Sequence, residues 1–269
     1  MSQTRQRAIF ERLEDRHSEV TTLTHDYSRG HVIPLHFHDR DQMVYATQGV
    51  MTVRTCDGAW VVPTHRGVWI PAGVPHTVTM SGAVAMRTLY LRPKLASTLP
   101  RDCCVVNVSP LLKELILYAC TFRALKRKVR WQRHLIEVIL DQLAAIQMVP
   151  LQLPNPTDPR ALRIADVLLG DPSDRRPLAL ICKAAGASKR TVERLFQEDL
   201  GMSFGKWRQQ LRLITAMQFL AEGAKVTHAA LEAGYSTPSA FISMFKKTLG
   251  TTPTAYFRAA RGAATNSSM

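Results

Sequence analysis

The second half of this 269-residue chain repeats itself, and that echo limits what it can fold into more than any other feature. RLFQEDLGMSF, starting at Arg194, aligns with SMFKKTLGTTP, starting at Ser243. Phe196, Leu200 and Gly201 thereby correspond to Phe245, Leu249 and Gly250, an offset of 49 residues. Upstream, AAGAS (Ala184 to Ser188) matches EAGYS (Glu232 to Ser236) with one residue of slippage. Each unit reads as a short helix, a turn containing Gly, a second helix and a Gly stop. Gly permits the tight turn, and a small residue there lets two helices cross closely. The expected form is a helix-turn-helix over about 178–199 and another over about 226–249, joined by a helix from Phe204 to Glu222.

The polar faces of the two second helices carry chemistry. In the first unit Ser188 is an N-cap candidate, and Val192, Leu195, Phe196 and Leu200 form an inward stripe. Lys189, Arg190, Glu193, Arg194 and Gln197 are left outside. Arg can fork onto guanine, Gln onto adenine, and Glu can accept from cytosine. In the second unit Phe241, Phe245 and Leu249 turn inward, leaving Thr237, Ser239, Ala240, Ser243, Lys246 and Lys247 outward. A tandem helical hairpin with merely solvated charges is the competing reading for either unit alone. The chain, however, carries 35 Lys+Arg against 21 Asp+Glu, a net charge of +14, which asks for a polyanionic partner. Two matched units on so basic a chain favour double-stranded DNA. A membrane surface would satisfy the charge, but no strongly amphipathic basic anchor helix is present. The excess is shared evenly, +7 on each side of Pro154, so charge alone does not say which half touches DNA.

These residues resemble the AraC-type transcriptional regulators, whose DNA-binding domain closes with a motif written here as GYSTPSAFISMFKKTLGTTPTAYFR. The resemblance covers about 100 residues, Asp158 to Arg258. It implies two recognition helices, beginning near Ser188 and Thr237, in successive major-groove faces of operator DNA. It also implies contact with the transcription machinery. The second recognition helix departs from the pattern in lacking Arg or Gln on its outer face before Lys246.

The N-terminal part has a different grammar. From about Thr22 to Pro93, β-branched and aromatic residues alternate or run together between QG, DG and Pro-Gly corners, the pattern of a small antiparallel barrel or sandwich. Within it, GHVIPLHFHDRDQMVYATQG resembles the first signature of the cupin barrels, with His36 and His38 in H-x-H spacing. Gln42 stands where the family has Glu. PAGVPHTV resembles the second signature and supplies His76. H-x-H on a strand aims both imidazoles at one face. Three neutral imidazoles and an amide oxygen suit Zn, Ni, Cu or Co. Two readings stand: a divalent transition metal held as effector, or an organic-ligand pocket that these histidines line. No further cofactor is required. His17, His25, His31, His65, His134 and His228 read as surface or packing histidines. Five scattered cysteines, including the adjacent Cys103 and Cys104, read as small semi-buried side chains rather than a disulfide framework.

Between these parts, Pro110 to Met148 is helical. Ile136, Ile139, Leu143 and Ile146 form one stripe, which either packs on the barrel or makes the seam of a homodimer. The basic run from Arg123 to Arg133 reads as a solvated helix end or loop. PLQLPNPTDPR, residues 150–160, with four prolines, is the best linker. The expected architecture is α+β in two domains: a cupin-like β-barrel with flanking helices over 1–149, a linker over 150–157, and an all-α DNA-binding domain over 158–262. The expected function is a one-component, ligand-controlled transcriptional regulator. The alternative is a metal-dependent cupin enzyme, a dioxygenase or isomerase, although such enzymes retain the Glu replaced here and need no helix-turn-helix. No apolar run is long enough for a membrane span and no signal peptide opens the chain, so a cytoplasmic location is expected.

Overall fold

A computed structural model describes residues 18–64, 66–95, 99–145, 148–149, 151–184 and 186–257. Two long strands organise the N-terminal part, β3 (Asp41–Thr55) and β6 (His76–Leu91), which follow β1 (Val20–Tyr27) and β2 (Val32–His36). Between them lie β4 (Gly58–Pro63) and β5 (Arg66–Ile70). β3 and β6 pair antiparallel from Asp41↔Leu91 to Arg54↔Thr77, with irregularities between Ala46 and Val50. Bulges there bend both strands. The first half of β3 therefore pairs with β5 and the second half with β4, while β6 pairs with β2 at its start and β1 at its end. The sheet folds over a core that includes Val44, Met51, Val53, Trp60, Val62, Val78 and Met86.

The outer face of the sheet is covered as well. β3 is buried at every residue from Asp41 to Ala46, which explains why its apolar residues run together instead of alternating. After β7 (Cys104–Asn107), α1 (Pro110–Ala119) and α2 (Arg130–Ala144) lie on Met43, Tyr45, Trp69 and Leu89. Ile136, Ile139 and Leu143 are the contact, each at most 2% exposed. Of the two positions open for this stripe, the structure fills the one on the barrel. The stripe is consumed within one subunit and is not a dimer seam; Ile146 lies outside the described residues. Burial in the Cys103 and Cys104 surroundings pushes their thiols up to about 12 and 11, so neither is a ready thiolate at neutral pH.

The proline-rich segment does not hang free. After the short β8 (Ala124–Leu125) and β9 (Met148–Val149), Gln152–Pro154 forms β10 and pairs with Gly58–Trp60 of β4. Pro154 fits because β10 is an edge strand with few ladder donors to supply, and Pro159 opens the next helix. From there the chain is helical: α3 (Pro159–Gly170), α4 (Leu178–Ala184), α5 (Lys189–Leu200), α6 (Phe204–Ala221), α7 (Val226–Glu232) and α8 (Pro238–Leu249). No helix among the described residues is long and apolar enough to cross a membrane.

The repeat is visible in three dimensions. Ser188 Oγ accepts from Thr191 N–H at 3.0 Å and Thr237 Oγ1 from Ala240 N–H at 3.2 Å, capping α5 and α8. Both helices stop at left-handed glycines, Gly201 and Gly250. The equivalent Phe196 and Phe245 are both fully buried, Phe196 against Phe204 and Trp207, Phe245 against Phe241 and Tyr256. Because the Ile139 side chain fills a place inside one subunit, Ile139→Ala should cost about 2–5 kcal/mol in denaturant unfolding. The sedimenting mass of the folded protein should not change. A fall in mass with stability intact would move the stripe to an interface.

Candidate functional site

Three histidines converge at one end of the barrel. His36 closes β2 directly opposite His76, the first residue of β6, and His38 follows in the loop. The metal-binding atoms of His36, His38 and His76 lie within 4.8 Å of one another. Their ring centroids are 4.3 Å apart for His36 and His76 and 4.9 Å for His36 and His38. The ring nitrogens have divided roles. His76 Nδ1 is 2.8 Å from the Val74 carbonyl and His36 Nδ1 is 2.7 Å from that of Pro34. Donation from Nδ1 fixes the tautomer in which Nε2 carries the lone pair.

The fourth expected member sits beside them. Gln42 is buried on β3 opposite Tyr90 of β6, and its Nε2 donates to Tyr90 Oη at 3.1 Å. The Tyr90 ring in turn packs on His38, with centroids 4.9 Å apart. This leaves Gln42 Oε1 and His76 Nε2 buried with no hydrogen-bond partner among the described residues. A buried acceptor without a donor costs about 1–3 kcal/mol, so two in one cluster need a reason, and a cation at this point supplies one. Burial also keeps the imidazoles neutral. It holds His38 down to about 3, helped by the neighbouring His36 and His76, and His76 down to about 4 against the opposing pull of the Val74 carbonyl. His36 is lowered by the same desolvation. Neutral imidazole is the form that ligates. Of the other histidines, His25 and His31 pack on Tyr27, and His228 packs on Phe219. His17 and His65 lie outside the described residues.

The second candidate surface is the pair of recognition helices. Lys189, Arg190, Glu193, Arg194 and Gln197 are all exposed on α5. Lys189 pairs with Glu193 at 3.7 Å and Arg194 with Glu198 at 2.8 Å, whereas Arg190 has no ion-pair partner among the described residues. On α8, Thr237, Ser239, Ala240, Ser243, Lys246 and Lys247 are likewise exposed.

Sequence reasoning missed the knot that ties these helices together. Arg208 of α6 donates to the carbonyls of Asp174 and, at 3.0 Å, Arg176. Arg212 donates to the Asp174 carbonyl at 3.2 Å. Arg175 donates to the carbonyl of Tyr235, in the turn of the second unit, at 2.9 Å. Gly234 completes the approach: its φ is +82°, and a Cβ there would meet the Pro172 carbonyl at 2.8 Å. Three of these four neighbouring arginines thus bind backbone carbonyls, and the fourth, Arg176, pairs with the Asp174 carboxylate at 2.7 Å.

A second set of contacts joins the helical part, chiefly α6, to the sheet. Gln218 Nε2 donates to Thr52 Oγ1 at 3.0 Å, and Arg29 pairs with Glu222 at 2.6 Å. Trp207 Nε1 donates to the Pro154 carbonyl at 2.9 Å, and Tyr256 Oη to that of Thr64 at 3.1 Å. Gly82 of β6 lies so close that a Cβ would meet the Ala221 carbonyl at 2.8 Å.

Two family descriptions match this chain: an AraC-like ligand binding domain over residues 20–144 and a helix-turn-helix domain over residues 181–259. The HTH-type transcriptional regulator NimR of Escherichia coli K12 is 34% identical over 90% of this chain and 89% of its own length. The HTH-type transcriptional activator RhaR of Mannheimia succiniciproducens is 24% identical, covering 83% of this chain and 86% of that protein. Among solved structures, fatty-acid-bound ToxT of Vibrio cholerae aligns over 88% of this chain and 94% of its own at 13% identity, with a TM-score of 0.37.

The arginine knot makes a stability prediction. Arg208→Ala strands the Arg176 carbonyl, leaves that of Asp174 to Arg212 alone, and should cost about 1–3 kcal/mol in chemical unfolding of the full chain. Arg208→Lys, which lacks the fork, should recover only part of that loss. Equal stability of all three proteins would mean that water serves these carbonyls as well.

Proposed function

The chain belongs to the AraC family of helix-turn-helix transcriptional regulators, and from that premise we propose that its effector is a divalent transition metal held by His36, His38 and His76. It is a ligand-regulated DNA-binding regulator and not an enzyme. The observation that carries the metal reading is the meeting of three neutral imidazoles within 4.8 Å around the unpartnered Gln42 Oε1 and His76 Nε2. Zn, Ni, Co and Cu suit that nitrogen-rich donor set. Bound there, the ion would supply a crosslink between β2 and β6.

The chain's own residues offer the route by which such a crosslink reaches DNA. β6 begins at His76 in the cluster and carries Gly82, six residues on, against the end of α6. β3 carries Gln42 at one end and Thr52, which holds Gln218 of α6, at the other. A change of strand position at the cluster is therefore delivered to the helix that spaces the two recognition units. An effector acts only through a difference in affinity for two such arrangements.

For the DNA face, we assign base reading first to Arg190. It is exposed, near the N-terminus of α5 and without an ion-pair partner among the described residues, so its fork breaks no ion pair within them to reach guanine. Arg194 must first leave Glu198. Glu193, Lys189 and Gln197 share that face, and Thr237, Ser239, Ala240 and Ser243 form the corresponding face of α8. Lys246 and Lys247 at the end of α8 are assigned to phosphates. The proposed division of the chain is a sensing domain over 1–149 and a DNA-binding domain over 158–262. Residues 150–157 join them, with Gln152–Pro154 of that segment docked on β4.

Two measurements test this reading. Arg190→Ala should lose about 1–3 kcal/mol on the operator and relax discrimination at one base position, while Lys246→Ala should weaken binding on all sequences and flatten its salt dependence. Equal weakening by Arg190→Ala on every sequence would reduce that residue to a phosphate contact. The purified parent should bind Ni, Zn, Co or Cu at micromolar levels with a matching change in operator affinity, and the His36→Ala/His38→Ala variant should do neither. A parent that takes up no metal would leave the cluster as the wall of an organic-ligand pocket.

A further inference from the structure

The charge of the histidine cluster sets what else the site accepts. Every donor in it is neutral: three imidazoles and the Gln42 amide. No carboxylate belongs to the cluster among the described residues. The nearest acid along β3, Asp41, is committed elsewhere, its Oδ1 accepting from Ala72 N–H at 2.9 Å. Its neighbour Arg40, only 5% exposed, donates to the Ser18 carbonyl at 3.0 Å. A divalent ion entering here keeps its full double charge inside a largely desolvated pocket, the situation that proteins relieve by pairing. His38, His76, Gln42 and Tyr90 are all buried, so solvent offers little compensation from that side. His36, at the end of β2, is the partly exposed member and marks the open side of the cluster.

We propose that the metal-loaded site takes a carboxylate-bearing small molecule as co-effector, its oxygen completing the ion's coordination from the His36 side. This rests on the metal reading above. The carboxylate supplies the negative charge that Glu provides in a carboxylate-containing donor set and that Gln42 withholds. The ion and the organic anion are then linked ligands: neither is held well alone, and each raises the affinity for the other by the same factor.

The full-length protein loaded with Co(II) provides the test, because the visible bands of Co(II) report its ligands without any measure of regulation. Acetate and benzoate should shift those bands and tighten Co(II) binding by roughly tenfold, the effect of placing one unit charge beside the ion. Acetamide and benzamide, neutral and of the same shape, should do neither. Gln42→Glu supplies the charge from within. It should bind Co(II) roughly tenfold more tightly than the parent and lose the response to acetate. Gln42→Ala, which adds no charge, should keep that response, so misfolding of one variant leaves the other as a check. Co(II) binding with bands indifferent to acetate and benzoate would overturn the proposal while leaving the metal site standing. Absence of Co(II) binding in the parent would remove both.

Discussion

The whole molecule depends on burying one helix. α6 is 18 residues long, about 27 Å at the usual rise, and from Leu211 to Ala221 none of its residues is exposed. A stretch covered on every side has no stable place at a surface, and its long polar side chains are bonded, Arg212 to the Asp174 carbonyl and Gln218 to Thr52. Here Trp207, Leu211 and Ile214 pack with the first helix-turn-helix and α3, while Leu213, Ala216, Met217 and Leu220 join a cluster shared by the second unit and the barrel. Three bodies meet on one rod. Its length sets the separation of the recognition helices, and its burial forbids them to drift independently of the sheet.

That packing also relates the histidine cluster to the helices. Strands 15 and 16 residues long exceed the usual range of about 3–10, and β3 and β6 use their length to reach from the histidines to α6. The contacts at the far end are intolerant of displacement. Gly82 has no room for even one added carbon against Ala221, and Gln218 reaches a threonine that is 2% exposed. Close-packed interfaces of this kind move between discrete arrangements and do not deform smoothly. A ligand that shifts the start of β6 therefore meets a stiff connection.

Much of this was legible in the sequence, for identifiable reasons. The two units announce themselves because helical period and glycine stop coincide twice; the expected N-cap Ser188 is the observed one, and the second helix is capped by Thr237, near where it was expected to begin. The H-x-H spacing and the later His76 were readable because a strand alternates its faces, but nothing in the residues says that β2 pairs with β6 to bring them together. The Ile136–Leu143 stripe required a partner without naming it, since an amphipathic face specifies burial and not against what. The proline-rich segment looked like a linker because strand pairing with β4, almost a hundred residues earlier, leaves no local mark. Arg175, Arg208 and Arg212 were invisible for the same reason: their carbonyl acceptors belong to distant turns. Charge read along the chain is taken for surface, whereas charge folded into turns is structure.

The two recognition helices then turn out to be unequal in a way that residue type alone understates. On α5 the charges are internally balanced, Lys189 with Glu193 and Arg194 with Glu198, one turn apart. Such pairs contribute only tenths of a kcal/mol to the helix, so DNA phosphates displace them readily. On the proposed reading they reduce non-specific attraction at this face and leave Arg190, which has no ion-pair partner among the described residues, as its fork. On α8 the order is reversed. Ser239, Ala240 and Ser243 offer short side chains that favour close approach over long-reach hydrogen bonding, and Lys246 and Lys247 gather in the last turn, where the helix dipole favours positive charge. On the proposed reading, α5 selects and α8 holds. A rigid rod between them makes that division useful, because a reader fixed at a set distance from an anchor samples base pairs in one register at a time.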